Sequence, residues 1–211
     1  MLALAACGGG SKKQAAAPPQ TTTDAAGCQS VTPPAGKARN ESKPTKRLDP
    51  AKTYDVSIKT NCGSFTIRLA VKTSPATTAS FASLVQKGFF VGTVFHRIVP
   101  DFVIQGGDPT GTGSGGPGYS TRDVPPASTD YSHGVVAMAK TGAEPPGTAG
   151  SQFFVVTAPD AQLPPEYAVL GTIVKGNAAV DKIGQLGDPA SGGQGVPTET
   201  VEIQKATLAV H

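Results

Sequence analysis

The chain has 211 residues, 38% of them hydrophobic, which is enough for one domain of ordinary size with a tail. Its 26 glycines and 19 prolines follow no collagen-like period, so turns must be abundant and a mainly β architecture is favoured. The net charge is +3 and the basic residues form no block, so the sequence predicts no basic patch for nucleic acid, and that partner is not expected.

The first seven residues resemble a targeting segment. Residues 1–6 are apolar, and Leu-Ala-Ala-Cys at positions 4–7 resembles a bacterial lipobox, whose cysteine receives lipid. The pattern predicts lipidation of Cys7 and an extracytoplasmic protein that is held on the bacterial cell membrane by this lipid alone. The apolar run is shorter than the roughly 7 to 15 residues of a signal peptide, which is consistent with a translation start upstream of Met1. The alternative is an Ala-rich beginning with an ordinary cysteine.

Residues 8–50 are rich in Ala, Pro, Thr, Gly and Lys, with almost no large apolar side chain. Such a segment buries too little surface to offset its ordering entropy, so a flexible tether is predicted, with docking near Cys28 as an alternative. If Cys7 carries lipid, Cys28 and Cys62 form an even pair in an oxidising compartment and are predicted to be disulfide-bonded. A folded domain is expected over residues 51–211, and no apolar run approaches the roughly 20 residues of a membrane span.

The domain begins with a predicted β-hairpin. Val56 and Ile58 alternate with polar residues before a turn at 61–63, and the alternation resumes from Phe65 to Val71.

Two helices are predicted from capping residues and apolar spacing. Ser74 and Pro75 mark the start of the first helix, which ends at Gly88, and the second begins near Asn177. Further strands are predicted at residues 135–139, 153–157, 168–174 and 201–209. Many short strands with two separated helices indicate an antiparallel barrel that is capped at its ends.

Polar residues interrupt two apolar stretches of the domain. Residues 95–108 read Phe-His-Arg-Ile-Val-Pro-Asp-Phe-Val-Ile-Gln-Gly-Gly-Asp, and residues 150–156 read Gly-Ser-Gln-Phe-Phe-Val-Val. A buried guanidinium needs acceptors, so Arg97 is either paired in the core or faces a cavity where a ligand supplies the acceptor. In this order and spacing, the two motifs resemble the cyclophilin family of peptidyl-prolyl cis-trans isomerases. The resemblance runs from about Tyr54 to the C-terminus.

The resemblance implies a closed eight-stranded antiparallel β-barrel with an α-helix over each opening and a binding groove on its outer face. It implies an enzyme that isomerises Xaa-Pro bonds of proline-containing polypeptides and assists the folding of extracytoplasmic proteins. No cofactor and no metal are expected, and the protein is expected to be a monomer.

The resemblance also assigns the site residues. Arg97 is expected to donate to the prolyl nitrogen and to act with Phe102 and Gln105 as the catalytic group. The expected substrate-binding residues are Val103, Ala139, Lys140, Thr141, Gln152, Phe154, Leu163 and Tyr167.

Several positions depart from the family pattern. Val103 stands where the family commonly has Met, Gln162 where it has Trp, and Tyr167 where it has His. Because Gln162 lacks the indole donor that holds cyclosporin, weak cyclosporin binding is expected. The family's Ala-Asn-Ala-Gly is Ala-Lys-Thr-Gly at 139–142 and a longer turn follows at 143–149, so a different loop shape is expected there.

Other chemistries fit the sequence less well. Residues 111–116 match Gly-x-Gly-x-x-Gly by letters but lack the strand and helix of a dinucleotide site. His96 and His133 lack partners at metal-ligand spacing, and Ser151 lacks the Gly-x-Ser-x-Gly elbow. The remaining alternative is a chaperone-like module that binds proline-containing peptides with little catalysis. Arg97 argues against it, because a binder needs no donor at the prolyl nitrogen.

Overall fold

Ten β-strands, two α-helices and one 3-10 helix form residues 27–211, the part of the chain that this computed structural model describes. Cys7, the lipobox region 1–7 and residues 8–26 of the predicted tether lie outside the described residues. The strands are β1 Tyr54–Thr60, β2 Gly63–Leu69, β3 Arg97–Val99, β4 Val103–Gly106, β5 Thr121–Arg122, β6 Val135–Met138, β7 Thr148–Ala149, β8 Phe153–Val156, β9 Val169–Lys175 and β10 Ile203–Val210. The helices are α1 Pro75–Gln86 and α2 Asn177–Gly184, and the 3-10 helix is Pro189–Gln194.

Eight strands form one antiparallel sheet in the order β10-β1-β2-β9-β6-β8-β4-β3, while β5 pairs with β7. The sheet curls, and β10 and β3 are its two edges. The residues ahead of these strands approach each other, since the Phe95 amide donates to the Val201 carbonyl at 2.9 Å. The edge of β3 itself is covered differently, because the Ile98 amide donates to the carbonyl of Gly195 at 2.8 Å. The mainly β fold with two helices is confirmed, but the predicted closed barrel is wrong: the sheet is an open half-barrel.

The predicted hairpin is the pair β1 and β2. Val56, Ile58, Phe65 and Ile67 are at most 1% exposed, and the residues between them are more accessible. The alternation is what a sheet needs when one face covers the core and the other meets solvent.

Helix α1 follows the hairpin with Pro75 in its first turn, as predicted. The Ser74 side chain makes no capping hydrogen bond. Instead, the Asp123 carboxylate accepts from the Thr77 amide at 2.6 Å, so a distant loop supplies the N-terminal acceptor. Gly88 ends the helix with φ +70°, a conformation that costs glycine little.

Helix α2 packs one face on the sheet, with Val180 and Ile183 fully buried. Together with α1 it completes the main core, in which the rings of Phe81, Phe90 and Phe153 stack edge to face or tilted at 4.7 to 6.0 Å. No helix among residues 27–211 is long and apolar enough to cross a bilayer.

Residues 28–50, here called the strap, lie on the surface of the domain. The predicted disulfide between Cys28 and Cys62 is present, with 4.3 Å between the two Cα atoms, and it joins the strap to the turn after β1. The Gln29 amide donates to the carbonyl of Asn61 at 3.0 Å beside it. Residues 28–50 are therefore docked on the domain, the alternative to a flexible tether, and backbone contacts, a covalent bond and the partly buried side chain of Leu48 hold them there.

Candidate active site

Alternation along β4 and β8 divides their side chains between two faces of the sheet. Ile104 and Phe153 belong to the main core, whereas Val103 and Phe154 belong to a second, smaller apolar cluster on the opposite face. Gln105, two residues after Val103, shares the face of the smaller cluster.

Strand register places the predicted site residues in one row. Arg97 on β3 is opposite Gln105 on β4, and Gln105 is opposite Phe154 on β8. Phe154 is opposite Ala137 on β6. Directly opposed residues in antiparallel strands have Cβ atoms roughly 4.5 to 5.5 Å apart. A cation, an amide and an aromatic ring are therefore neighbours across three strands.

A cavity of about 210 Å³, here called the apolar pocket, opens over this row. Nine of the eleven predicted catalytic and substrate-binding residues line it: Arg97, Phe102, Val103, Gln105, Ala139, Lys140, Phe154, Leu163 and Tyr167. The other two, Thr141 and Gln152, line a larger neighbouring cavity.

Arg97 is held in place by a distant backbone carbonyl. Its Nε and Nη2 atoms donate to the carbonyl of Gly193 at 3.2 and 2.9 Å, and its Cζ lies 5.9 Å from the centre of the Phe102 ring. Burial lowers the pKa of the Arg97 guanidinium, with the Tyr167 group opposing the shift, yet the side chain stays charged. Within residues 27–211, Nη1 of Arg97 makes no hydrogen bond, which leaves a donor for a ligand in the apolar pocket.

Tyr131 supports the pocket from behind, a role that the sequence did not indicate. Its hydroxyl donates to the carbonyl of Tyr167 at 2.7 Å and accepts from the amide of Tyr167 at 3.0 Å. The rings of Tyr131 and Tyr167 are edge to face at 5.9 Å, and Tyr167 meets Phe154 in the same way at 5.4 Å. Burial raises the pKa of Tyr131 to about 12, so the phenol remains a donor.

Lys140 forms the wall between the apolar pocket and its neighbour. The side chain is 4% exposed, and its Nζ is 2.9 Å from a carboxylate oxygen of Glu166. The same Nζ lies 5.6 Å from the centre of the Tyr167 ring and donates to the carbonyl of Glu144 at 3.2 Å. A lysine thus contributes its aliphatic stem to the pocket wall, with its charge compensated.

The larger cavity, here called the second cavity, has a volume of about 450 Å³ and shares Gln105, Ala139 and Lys140 with the apolar pocket. The Nε2 atom of Gln105 donates to Oε1 of Gln152 at 3.0 Å. The opposite wall consists largely of residues 113–120, part of a glycine-rich loop over residues 109–120. The two cavities therefore form one groove that is divided by shared residues.

The glycine-rich loop is organised by Asp108, which is fully buried and precedes it. Its carboxylate accepts from the amides of Thr110, Gly113 and Gly115 at 2.7, 2.6 and 3.1 Å. Burial alone would raise the pKa of the Asp108 carboxyl, but these hydrogen bonds outweigh burial and lower it. An aspartate before a run of glycines is typical of such a turn, so this signal was present in the sequence.

The residues that suggested other chemistries have structural roles. Ser151 is buried and donates to the carbonyl of Gly107 at 2.7 Å. His133 is exposed and contacts Asp181 at 2.7 Å. Residues 27–211 contain no group of three or more His, Cys, Asp or Glu side chains that could hold a metal ion.

Comparisons with known proteins identify the family to which this chain is similar. A family model described as cyclophilin type peptidyl-prolyl cis-trans isomerase/CLD matches residues 55–208. Peptidyl-prolyl cis-trans isomerase-like 1 of Neurospora crassa is 40% identical over 136 residues, which cover 63% of this chain and 82% of that protein. Probable peptidyl-prolyl cis-trans isomerase B of Mycobacterium leprae is 41% identical over 201 residues, covering 86% of this chain and 66% of that protein.

A solved structure has the same fold. The crystal structure of a cyclophilin type peptidyl-prolyl cis-trans isomerase from Cryptosporidium parvum matches with a TM-score of 0.66 and 31% sequence identity. The match covers 74% of this chain and 98% of the other.

Proposed function

The chain belongs to the cyclophilin-type peptidyl-prolyl cis-trans isomerase family, and from this premise we propose how its own residues isomerise Xaa-Pro bonds. The apolar pocket receives the proline ring, and Arg97 donates to the prolyl nitrogen. The observation that carries this proposal is the row of Arg97, Gln105 and Phe154 across three adjacent strands.

The reaction needs neither a nucleophile nor a cofactor. Rotation about a peptide bond faces a barrier of about 18 to 20 kcal/mol, because the nitrogen lone pair is delocalised into the carbonyl. Before proline, the two isomers differ by roughly 0.5 to 1 kcal/mol and exchange over tens of seconds or longer. A catalyst must therefore stabilise the twisted bond more than either planar isomer.

Arg97 can provide this selective stabilisation. In the planar bond the nitrogen is a poor acceptor, and its lone pair becomes available as the bond twists. The contact of two guanidinium nitrogens with Gly193 fixes the orientation of Arg97 before substrate binds, so little reorganisation is needed. The planar guanidinium can hold the Gly193 carbonyl with one edge and present Nη1 with another.

The remaining residues position the substrate. Phe102, Val103, Phe154 and Leu163 form the apolar surface for the proline ring. Gln105 and Gln152 supply amide groups for the flanking peptide backbone in the groove. Ala139, Lys140, Thr141 and Tyr167 line the passage along which that backbone would lie.

The proposed role of Arg97 is tested by substitution. We expect Arg97→Ala to reduce turnover of an Xaa-Pro peptide about 10²- to 10³-fold with a much smaller loss of peptide affinity, because the donor acts on the twisted bond. Arg97→Lys should restore little of the lost turnover, since a flexible ammonium does not reproduce the fixed donor geometry of the planar guanidinium. Isomerisation rates from NMR exchange, with peptide affinities from titration, measure both quantities.

Two further variants serve as controls for Arg97. Arg47→Ala removes an exposed arginine that lines neither cavity and should leave turnover and affinity unchanged. Phe154→Ala should weaken peptide binding through loss of the apolar surface and so separates the two roles. A folded Arg97→Ala protein with near-native turnover would refute the mechanism and favour a peptide-binding module.

We also propose that the protein acts outside the cytoplasm of a bacterial cell, attached to the membrane through lipid on Cys7. The disulfide between Cys28 and Cys62 supports an oxidising compartment. Its clients would be proline-containing polypeptides that fold there, and the enzyme would act as a monomer. Cyclosporin would bind weakly, because Gln162 offers no indole donor.

Cell fractionation tests the location. A Cys7→Ser protein expressed from its native start should leave the membrane fraction, because stable attachment requires the acyl chains. A Cys28→Ala/Cys62→Ala protein keeps Cys7 and should stay with the membrane. Unchanged membrane attachment of Cys7→Ser would contradict the lipid anchor.

A further inference from the structure

The strap runs along the glycine-rich loop and contacts it near both ends. The Lys37 amide donates to the carbonyl of Pro109 at 2.9 Å. The Glu41 amide donates to the carbonyl of Pro117 at 2.8 Å. Because both contacts are made by the main chain, they depend on the position of the strap and not on particular side chains.

The approach of the two segments is close enough to require glycine. A Cβ atom at Gly36 would overlap the backbone carbonyl oxygen of Thr110. A Cβ atom at Gly118 would lie 2.8 Å from Oδ1 of Asn40. A side chain at position 36 would therefore push the strap away from the loop.

The strap is fixed to parts of the domain that lie outside the groove. The disulfide joins its first residue to the turn after β1. Arg39 donates from Nη1 to the carbonyl of Phe89 and from Nη2 to that of Val91, the latter at 3.0 Å. The Glu41 carboxylate is 2.8 Å from Nζ of Lys87. The position of the strap is thus set by the hairpin and by the end of α1.

The other side of the glycine-rich loop faces the second cavity. Nε2 of Gln152 donates to the carbonyls of Gly113 and Gly115, each at 2.9 Å, while its Oε1 accepts from Gln105. A chain of contacts therefore runs from the strap through the loop to Gln105, one of the three residues that both cavities share.

We propose that the strap is a positioning element of the groove: it holds the glycine-rich loop in the shape that binds peptides reaching from the apolar pocket into the second cavity. The inference rests on the proposed function, because it concerns the same groove. Glycines lose more backbone freedom on ordering than other residues, so a loop that is ordered in advance binds an extended peptide more tightly. A peptide confined to the apolar pocket does not contact the loop and gains nothing from the strap.

Gly36→Val is expected to detach the strap without altering a groove residue. Ala38→Val introduces the same residue at an exposed strap position and is the matched control. The probes are a blocked Ala-Pro dipeptide and peptides that extend Ala-Pro on one side or the other. We expect Gly36→Val to raise the Kd of at least one extended peptide about 5- to 10-fold, with the dipeptide Kd and isomerisation rate unchanged. Ala38→Val should change none of these values. NMR titration and exchange provide the measurements.

Amide hydrogen exchange at Lys37 and Glu41 reports whether the strap has detached. If Gly36→Val alone leaves these amides protected, Glu41→Pro is added, which removes the second donor, and the Lys37 amide then reports detachment by itself. A detached strap with unchanged Kd values for every extended peptide would overturn the proposal. An equal loss of affinity for the dipeptide and the extended peptides would also overturn the proposal, because the strap would then affect the whole groove and not the second cavity in particular. A wild-type protein that binds extended peptides without isomerising them would contradict the proposed function and leave the strap proposal standing.

Discussion

His96 lies next to the row of Arg97, Gln105 and Phe154, and its titration is expected to affect the stability of the fold. Burial lowers the pKa of the His96 imidazole, the Asp108 charge opposes that shift and the Arg97 charge adds to it. Its Nε2 is 3.5 Å from Nε2 of Gln105, so a proton on this nitrogen would place two donors against each other. The neutral ring is therefore the form that fits the folded protein.

This shift predicts a loss of stability in mild acid. In the unfolded chain His96 has its ordinary pKa near 6.5, so as the pH falls through that value the unfolded state binds more protons than the folded state. The free energy of unfolding should be greatest above pH 6.5 and should decline as the pH falls toward the lower folded-state pKa. Urea unfolding of wild type and His96→Gln between pH 5 and 8 measures the difference.

His133→Gln is the control, because it removes an exposed histidine that lines neither cavity. Aspartates with lowered pKa values, such as Asp55 and Asp108, lose their contribution only well below this window, beneath their ordinary value of 3.8. If the free energy of unfolding of His96→Gln declined with falling pH as steeply as that of wild type, His96 would not be the cause of the acid-dependent loss of stability.

The sequence predicted the residues that face the groove better than it predicted what holds them. Arg97 and Gln105 drew attention because each interrupts an apolar run, and the family resemblance then assigned them to the groove. Gly193 could not, because it lies 96 residues from Arg97 and contributes a backbone carbonyl, which any residue possesses. Tyr131 also gave no signal, since its hydroxyl bonds to main-chain atoms 36 residues away.

Strands and helices were predictable where their own side-chain pattern sets their position. The hairpin of β1 and β2 and the helix α1 show the expected alternation and spacing. The prediction of a closed barrel was wrong because closure depends on which segment pairs with the free edge of β3. In this protein the Gly195 carbonyl accepts from the Ile98 amide at that edge. Composition could not decide between a flexible tether and a docked segment, because it measures apolar burial, whereas backbone hydrogen bonds, polar side chains and one disulfide hold the strap.

The disulfide connects the strap to the rest of the molecule, and its loss should lower the stability of the whole domain. Cys28 and Cys62 are 34 residues apart and almost fully buried. A disulfide that closes a loop of this size lowers the conformational entropy of the unfolded chain. On the chain-entropy model this stabilises the folded state by roughly 3 to 4 kcal/mol. For a domain of this length, that loss corresponds to a fall in Tm of roughly 6 to 16 °C.

The double variant Cys28→Ala/Cys62→Ala tests this prediction by calorimetry, with the reduced wild type measured beside it. The reduced protein keeps both sulfur atoms, so a similar fall in the two samples would come from the lost bond and not from the smaller side chains. Either single Cys→Ala variant should lose nearly as much as the double variant, because each breaks the same bond. Free thiols at Cys28 and Cys62 in the oxidised protein, or a Tm that reduction leaves unchanged, would contradict a stabilising disulfide. Free thiols there would also remove the covalent support on which the position of the strap depends.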